Sequence, residues 1–329
     1  MENLFIGVDI SKDTFDVCII NQDHQIIRKD LVFDNSSKGI KVFFSEIGLL
    51  KVEGHWVCME DTGHYGALLI SKLLAAGVPT SVVNPLEIKR SSGITRGKSD
   101  PIDAFRIASY AATFKHKLEE YILPSQELQK LKAMMSQREL MIKMSVQAKN
   151  NLKSQLVLQQ SVNIRELLKI SKKTIVDLES NIKKLDKAMQ ELLNSQENLK
   201  ESYDKITKVI GVGPITAIKC IVETRNFTKF TSPRKFSCHC GVAPFSYQSG
   251  TSVKGRSKTS KLRDKALKSV LFNAAATAIN HDPQLKIYYK RKVDEGKHKL
   301  SVINAVANKI ILRIFAVAMR DEPFVKFMQ

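Results

Sequence analysis

A long stretch without helix-breaking residues constrains the fold of this chain most strongly. Residues 123–205 contain one proline and no glycine. Within this stretch, apolar residues recur at alternating three- and four-residue steps, the spacing of a coiled-coil seam, and only Gln196 interrupts them. The pattern predicts a long amphipathic helix whose seam comprises Ile175, Leu178, Ile182, Leu185, Met189, Leu192, Leu199, Tyr203 and Ile206.

An earlier helix is predicted over about residues 125–160, with a less regular seam of Leu128, Leu131, Met135, Ile142, Val146, Leu152 and Leu156. The two helices can pair within one chain, as an ordinary helical arm, or with a second chain. We expect a homodimer through this coiled coil, because a protruding seam has little else to bury against.

The region before the coiled coil, residues 1–122, alternates strand and helix signals. Three short apolar strands, Leu4–Ile10, Thr14–Ile20 and Gln25–Phe33, follow one another closely enough to form antiparallel hairpins. A helix starting at Ser36 or Ser37, a strand at 55–59, a helix at 65–76 and a strand at 79–83 follow. This order is expected of an RNase H-like α/β fold, although other mixed α/β folds can produce it.

The region after the coiled coil, residues 206–329, opens with an apolar helix end, Gly211-Val212-Gly213-Pro214 and a new apolar helix. This is the pattern of a helix-hairpin-helix, in which Gly211 and Gly213 let the backbone approach a phosphate. A plain turn between helices is the alternative. Further helices are predicted at about 261–280 and 298–319. The fold class is therefore α/β plus all-α, with domains 1–122, 123–205 and 206–329.

The charge of the chain indicates its partner class. The formal net charge is +19, and a protein this basic commonly binds a polyanion. A basic tract, which we expect to contact phosphates, comprises Lys254, Arg256, Lys258, Lys261, Arg263, Lys265 and Lys268. A solvated lysine-rich surface is the alternative. The N-terminus lacks a signal-peptide layout, and no uncharged apolar run is long enough to span a membrane, so we expect a cytoplasmic protein.

Five cysteines are scattered along the chain, and three neighbouring residues, Cys238-His239-Cys240, contain two of them. A structural zinc site needs four ligands, normally as two spaced pairs, and no second pair follows. We therefore expect buried or merely adjacent thiols and no disulfide framework.

Four acidic residues of the first region suggest a metal site. Asp9 and Glu60 end predicted strands, whereas Asp100 and Asp103 are spaced i, i+3 at a predicted helix start. Acids that converge from several elements hold the divalent ions used in phosphoryl transfer. Each acid also has a structural interpretation; Asp100-Pro101 followed by Asp103, for example, is a good helix start.

These motifs together resemble the IS110 family of insertion-sequence transposases, which includes the Piv-like recombinases. The N-terminal match comprises Gly7-Val8-Asp9-Ile10-Ser11-Lys12, Glu60-Asp61-Thr62-Gly63-His64-Tyr65, Val83-Asn84-Pro85 and Lys98-Ser99-Asp100-Pro101-Ile102-Asp103-Ala104. The C-terminal match comprises Ile210-Gly211-Val212-Gly213-Pro214, Phe227, Phe230, Cys240-Gly241-Val242-Ala243-Pro244 and Ser249-Gly250-Thr251.

The resemblance implies a RuvC-like DEDD domain in which Asp9, Glu60, Asp100 and Asp103 hold Mg²⁺ or Mn²⁺. It also implies that Ser249 is a nucleophile, which the residue pattern alone does not indicate, because Ser-Gly is a common turn. Many relatives carry Lys-x-Gly where this chain has Lys258-Thr259-Ser260, so the geometry of that loop is open.

The implied activity is transposition through a covalent phosphoserine–DNA intermediate on double-stranded DNA, guided by a non-coding RNA of the element. Because Ser249 is far from the acids in sequence, we expect a composite site, formed within a dimer or a tetramer. Two alternatives stay open. One is a RuvC-like nuclease that uses water, and the other is a non-enzymatic nucleic-acid-binding protein.

Overall fold

The chain forms two compact units in a computed structural model, residues 1–123 and 124–329. The structure describes residues 3–48, 54–61, 63–91, 100–249, 253–260 and 262–320, with the backbone alone for 246–249 and 253–258. The second unit contains both the helical arm and the C-terminal segment, and its division at residue 205 stays a prediction.

The first unit is a five-stranded mixed sheet with helices. Its order is β3-β2-β1-β4-β5; β2 is antiparallel to β1 and β3, whereas β1, β4 and β5 are parallel. This order and these directions are those of an RNase H-like fold, which confirms the prediction. The elements are β1 (Leu4–Ile10), β2 (Thr14–Asn21), β3 (Ile26–Asp34), α1 (Ser37–Gly48), β4 (His55–Glu60), α2 (Ala67–Ala75), β5 (Thr80–Val83), α3 (Pro85–Ser91) and α4 (Asp100–Thr113).

Helices cover both faces of this sheet. Alternate residues of β1 point to opposite faces, so Ile6 and Val8 pack in a cluster with Ile40 of α1. Phe5 packs on the other face in a cluster with Ile107 of α4. Burial on both faces explains why the central strands are almost continuously apolar in sequence.

The helix α4 crosses β1 at Gly7. A Cβ atom on Gly7 would lie 2.2 Å from the carbonyl oxygen of Ala104 and 2.3 Å from the amide nitrogen of Ala108. No side chain fits in that space, so this close approach of helix and strand requires glycine. The contact fixes where the first turn of α4, with Asp100 and Asp103, lies relative to the sheet.

The second unit is mainly helical, as predicted. Its elements are α5 (Gln126–Leu158), α6 (Arg165–Asn194), α7 (Glu197–Thr207), α8 (Pro214–Thr224), α9 (Pro233–His239), β6 (Pro244–Ser249), β7 (Val253–Thr259), α10 (Lys265–His281), α11 (Pro283–Asp294) and α12 (Lys299–Ala318). The predicted seam is divided between α6 and α7, because the helix ends just before Gln196. The hairpin β6–β7 and the helix α11 were not predicted.

The helices α5 and α6 form a hairpin within one chain. Arg138 pairs with Asp186 at 2.5 Å, and Lys149 pairs with Glu179 at 2.7 Å, across the two helices. The end of the hairpin nearest α7 belongs to the main core of the unit, where Met135 and Met189 are buried with residues of α8, α10 and α12. Farther along the hairpin, large apolar side chains are exposed, namely Leu140, Met144, Val146, Leu156, Val157, Leu158, Leu167, Ile170 and Val176.

The helix α12 is long and apolar enough, by length and composition, to cross a membrane. Core helices pass the same test, and most of the apolar residues of α12 pack within the unit. They are buried in the core cluster, including Val306, Ile310, Ile314 and Phe315. Packing therefore accounts for the apolar composition of α12.

Candidate active site

The four predicted acids converge at one end of the sheet in the first unit. Strands β1 and β4 are parallel neighbours with Val8 paired to Met59, so Asp9 and Glu60, the next residue of each strand, lie side by side. Asp100 and Asp103 form the first turn of α4, which packs over β1 at Gly7.

Electrostatics supports this convergence. Burial raises the pKa of Asp9 to about 6, and the negative charges of Glu60, Asp103, Asp100 and Asp16 contribute to the shift. Carboxylates that repel one another in this way gain from a divalent cation, and oxygen ligands are those that Mg²⁺ and Mn²⁺ prefer. The acid set therefore fits a divalent metal ion.

One carboxylate of this group was missed by the sequence analysis. Asp16 of β2 is paired with Asp9 across the two strands, and it is only 8% exposed. Burial raises its pKa, and Asp100 adds to the effect. The signal in the sequence was an acidic residue inside the otherwise apolar strand Thr14–Asn21, a position that an acid rarely occupies without a reason.

Among the described residues, Arg106 pairs with one of these acids. Its Nη1 donates to Oδ1 of Asp103 at 2.7 Å, one helical turn along α4. A hydrogen bond from a guanidinium orients the carboxylate that accepts it. Arg106 is therefore positioned to hold Asp103 in a fixed rotamer toward the other acids.

The raised pKa of Asp9 predicts how the metal-free protein responds to pH. The pKa of Asp9 is about 6 in the folded chain, against an ordinary value of 3.8. The folded chain therefore binds the proton of Asp9 more tightly than the unfolded chain does. The resulting stabilisation is fully present below pH ~3.8 and is lost as pH rises through 6. Between pH 5 and 7 we expect the free energy of unfolding to fall by about 1 kcal/mol from this group.

Denaturant unfolding in EDTA at the two pH values measures this difference. Asp9→Asn is expected to reduce the pH dependence by that amount, whereas Asp23→Asn, in the exposed turn after β2, is the matched control. An equal pH dependence in wild type and Asp9→Asn would contradict the prediction.

Ser249 is the last residue of β6, where its backbone pairs with Val253 of β7. Lys254, Arg256 and Lys258 belong to β7. The structure describes these four residues by their backbone, and their catalytic and DNA-binding roles stay predictions. Lys261 lies outside the described residues.

Arg263 and Lys268 have structural partners near the base of this hairpin. Arg263 Nη1 donates to the carbonyl oxygen of Ser260 at 3.1 Å, and the aliphatic part of Arg263 lies against Gly241. Lys268 Nζ donates to the carbonyl oxygen of Gly241 at 2.8 Å. The turn before β6 is therefore fixed by two cations of the predicted basic tract, and DNA contact by Arg263 stays a prediction.

The two glycines of the predicted helix-hairpin-helix differ in their surroundings. Gly211 has a φ of +94°, and a Cβ there would lie 2.4 Å from the carbonyl oxygen of Ala274 in α10. Packing on α10 therefore explains this glycine. Gly213, the residue before α8, has open space where a Cβ would be. Phosphate binding by the two glycines stays a prediction.

Comparison with known proteins gives two family matches. Residues 6–161 match a transposase family described as DEDD transposase IS110, and residues 203–290 match the transposase IS116/IS110/IS902 family. The two matches follow the order of the two units. The first match contains all four converging acids, and the second contains Ser249.

Relatives match over nearly the full length. The pilin gene-inverting protein of Moraxella bovis is 28% identical, covering 99% of both chains. The transposase for insertion sequence element IS1111A of Coxiella burnetii is 24% identical over 97% of this chain and 90% of its own. A solved structure, T. thermophilus RuvC in complex with Holliday junction substrate, aligns with 35% of this chain at 14% identity and a TM-score of 0.27.

The RuvC alignment is too distant to carry an argument, so the RNase H-like assignment rests on the strand order. The two family models together match more than half of the chain. This chain belongs to the IS116/IS110/IS902 family of transposases, enzymes that act on DNA.

Proposed function

We propose that this protein cuts and rejoins DNA by a divalent-metal-dependent reaction in which Ser249 is the nucleophile. The observation that carries the proposal is the convergence of Asp9, Glu60, Asp100 and Asp103 at one end of an RNase H-like sheet. The similarity of the chain to a pilin gene-inverting protein and to an IS1111A transposase supports recombination of a mobile or invertible DNA segment.

The four acids would hold Mg²⁺ or Mn²⁺, with Arg106 orienting Asp103. When bound, the metal polarises the scissile phosphate and stabilises the charge that develops on it. The Ser249 hydroxyl loses its proton and its Oγ attacks the phosphorus. The P–O3′ bond breaks, and the leaving oxygen takes up a proton to become a free 3′-hydroxyl.

The product of this step is a phosphoserine ester that retains the energy of the broken phosphodiester. A 3′-hydroxyl from a new partner strand attacks the same phosphorus, releases Ser249 and rejoins the DNA without ATP. Clustered acids argue against a purely architectural role, because a phosphate-binding protein gains nothing from concentrated negative charge.

The test is covalent trapping. Wild-type protein is incubated with end-labelled element DNA, the RNA transcribed from the element and Mg²⁺, and the products are separated on a denaturing gel. A labelled protein band that EDTA prevents, with phosphoserine identified by mass spectrometry, supports the proposal. Cut DNA without attached protein would instead establish a water-using nuclease of the RuvC type.

We further propose that the partners are double-stranded DNA at the element ends and target, and a non-coding guide RNA of the element. The net charge of +19 supports a polyanionic partner. Binding through Lys254, Arg256, Lys258, Lys261 and Arg263 would place the cations beside the proposed nucleophile, in a protein associated with the bacterial nucleoid.

We propose that the exposed apolar residues of the α5–α6 hairpin form a homodimer, and that dimers pair into a tetramer during strand exchange. Leu167 and Ile170 are one turn apart on α6, and Ile170 is 62% exposed. We expect the double variant Leu167→Glu/Ile170→Glu to dissociate the dimer, because buried unpaired carboxylates cost several kcal/mol. Light scattering after gel filtration measures the molar mass of the protein in solution and so distinguishes a dimer from a monomer.

The control for charge alone is Ser180→Glu, also exposed on α6, which should stay dimeric. A wild-type chain that is monomeric at micromolar concentration would contradict dimerisation. A dimer unchanged in the double variant would place the interface elsewhere.

A further inference from the structure

Three potential metal ligands come together in the second unit, far in sequence from the acids of the first. Glu223 is near the end of α8, His239 is the last residue of α9, and Asp264 is the residue that caps α10. One ligand atom from each lies within 4.8 Å of the other two. Three separate elements therefore direct an imidazole and two carboxylates to one point.

The imidazole of His239 has a buried nitrogen without a hydrogen-bond partner. Its Nε2 is inaccessible to solvent and unsatisfied, and it lies 3.7 Å from Oε2 of Glu223. That separation is too long for a hydrogen bond. It is close to the roughly 3.4 Å that separates two ligands at about 2.0–2.1 Å from one tetrahedral zinc. A buried ring nitrogen without a hydrogen-bond partner destabilises the folded chain, and coordination of a metal ion would remove this cost.

The ring of His239 is fixed by aromatic neighbours. Its centroid lies 5.3 Å from that of Phe230 and 6.3 Å from that of Phe236. These contacts hold the ring orientation, so Nε2 is directed to the carboxylates before any ligand arrives. Preorganisation of this kind lowers the entropy cost of binding.

The two carboxylates are suited to a cation. Glu223 presents Oε2 to Nε2 of His239 at 3.7 Å. Asp264 uses Oδ1 to accept from the amide of Leu267 at 2.7 Å.

A small cavity of about 200 Å³ adjoins Glu223 and Asp264 and gives space for water on the open side. Two lysines line the same cavity. Lys219 is paired with Glu139, which neutralises its charge locally. Lys132 is the competing cation, because an ammonium could balance the carboxylates in place of a metal ion.

We propose that Glu223, His239 and Asp264 bind one Zn²⁺ ion, with water from the cavity as the fourth ligand. A site with an imidazole nitrogen favours Zn²⁺ over Mg²⁺, which prefers oxygen ligands. All three proposed ligands belong to the second unit. Its ligands include neither Cys238 nor Cys240, so the Cys-His-Cys run contributes only its histidine.

A metal ion at this site would stabilise the β6–β7 hairpin, which carries Ser249. His239 precedes β6 and Asp264 follows β7, and the two segments already touch, since the amide of Asp264 donates to the carbonyl oxygen of His239 at 3.2 Å. A metal ion shared by both side chains would hold the two ends of the hairpin together.

Calorimetric titration of the full-length chain with Zn²⁺ after EDTA treatment, in excess Mg²⁺, tests the proposal. We expect one tight Zn²⁺ equivalent that His239→Gln weakens more than roughly 100-fold, beyond the 10–100-fold effect of losing an outer-shell partner. His281→Gln, an exposed histidine at the end of α10, is the matched control and should bind as wild type does.

Co²⁺ in place of Zn²⁺ gives a second readout, a visible absorption band that His239→Gln should remove. Glu223→Gln, close in shape, replaces His239→Gln if that variant fails to fold. Absence of tight Zn²⁺ binding in wild type, or binding unchanged in both variants, would overturn the proposal and leave Lys132 as the cation that balances the carboxylates.

Discussion

Ser249→Ala is expected to eliminate the labelled protein–DNA adduct in the covalent-trapping assay. The adduct requires an Oγ–phosphorus bond, and alanine has no oxygen with which to form it. Loss should exceed roughly 10³-fold, because removal of a nucleophile from a catalytic unit commonly costs at least that much. Strand cleavage should disappear with the adduct.

Two further variants show whether loss of the adduct in Ser249→Ala reflects loss of the nucleophile. Ser246→Ala, in the same strand β6, changes a neighbouring serine and should leave the adduct intact. Asp9→Asn should also abolish the adduct, while Ser249→Ala retains the metal-dependent increase in thermal stability. Continued metal-dependent cutting by Ser249→Ala would show that water is the nucleophile and would refute the serine mechanism.

Gly7→Ala is expected to destabilise the first unit by about 3 kcal/mol, the cost of forcing extra volume into a packed core. The new Cβ would lie 2.2 Å from the carbonyl oxygen of Ala104 and 2.3 Å from the amide of Ala108. Both atoms are backbone, so the neighbour cannot rotate away and α4 must move. Denaturant unfolding measures the change.

The same variant should impair the metal site, because α4 carries Asp100 and Asp103. Where the chain still folds, we expect Mg²⁺ to raise the melting temperature less than in wild type. Gly48→Ala is the matched control, since a Cβ there has no neighbour within 4 Å. Equal stability of Gly7→Ala and wild type would show that the helix–strand contact has more room than the structure indicates.

The spacing of apolar residues along the sequence was sufficient to predict most helices and strands of the fold. The strands β1, β2 and β4, the helix α1 and the long helices α5, α10 and α12 lie close to where periodicity predicts them, because their apolar residues repeat at two or at 3.6 residues. The hairpin β6–β7 was missed because Lys254, Gly255, Arg256, Ser257 and Lys258 have weak strand preference. The helix α11 was also missed, and its single buried residue, Leu285, leaves little periodic signal.

Sequence motifs were sufficient to select Asp9, Glu60, Asp100 and Asp103, whereas their convergence depends on the parallel pairing of β1 with β4 and on the crossing of α4 at Gly7. The place of Asp16 among them, the contact of Gly211 with α10, and the cluster of Glu223, His239 and Asp264 are likewise tertiary. Periodicity reports which face of an element is buried. Which elements become neighbours depends on long-range packing, and no window of sequence contains it.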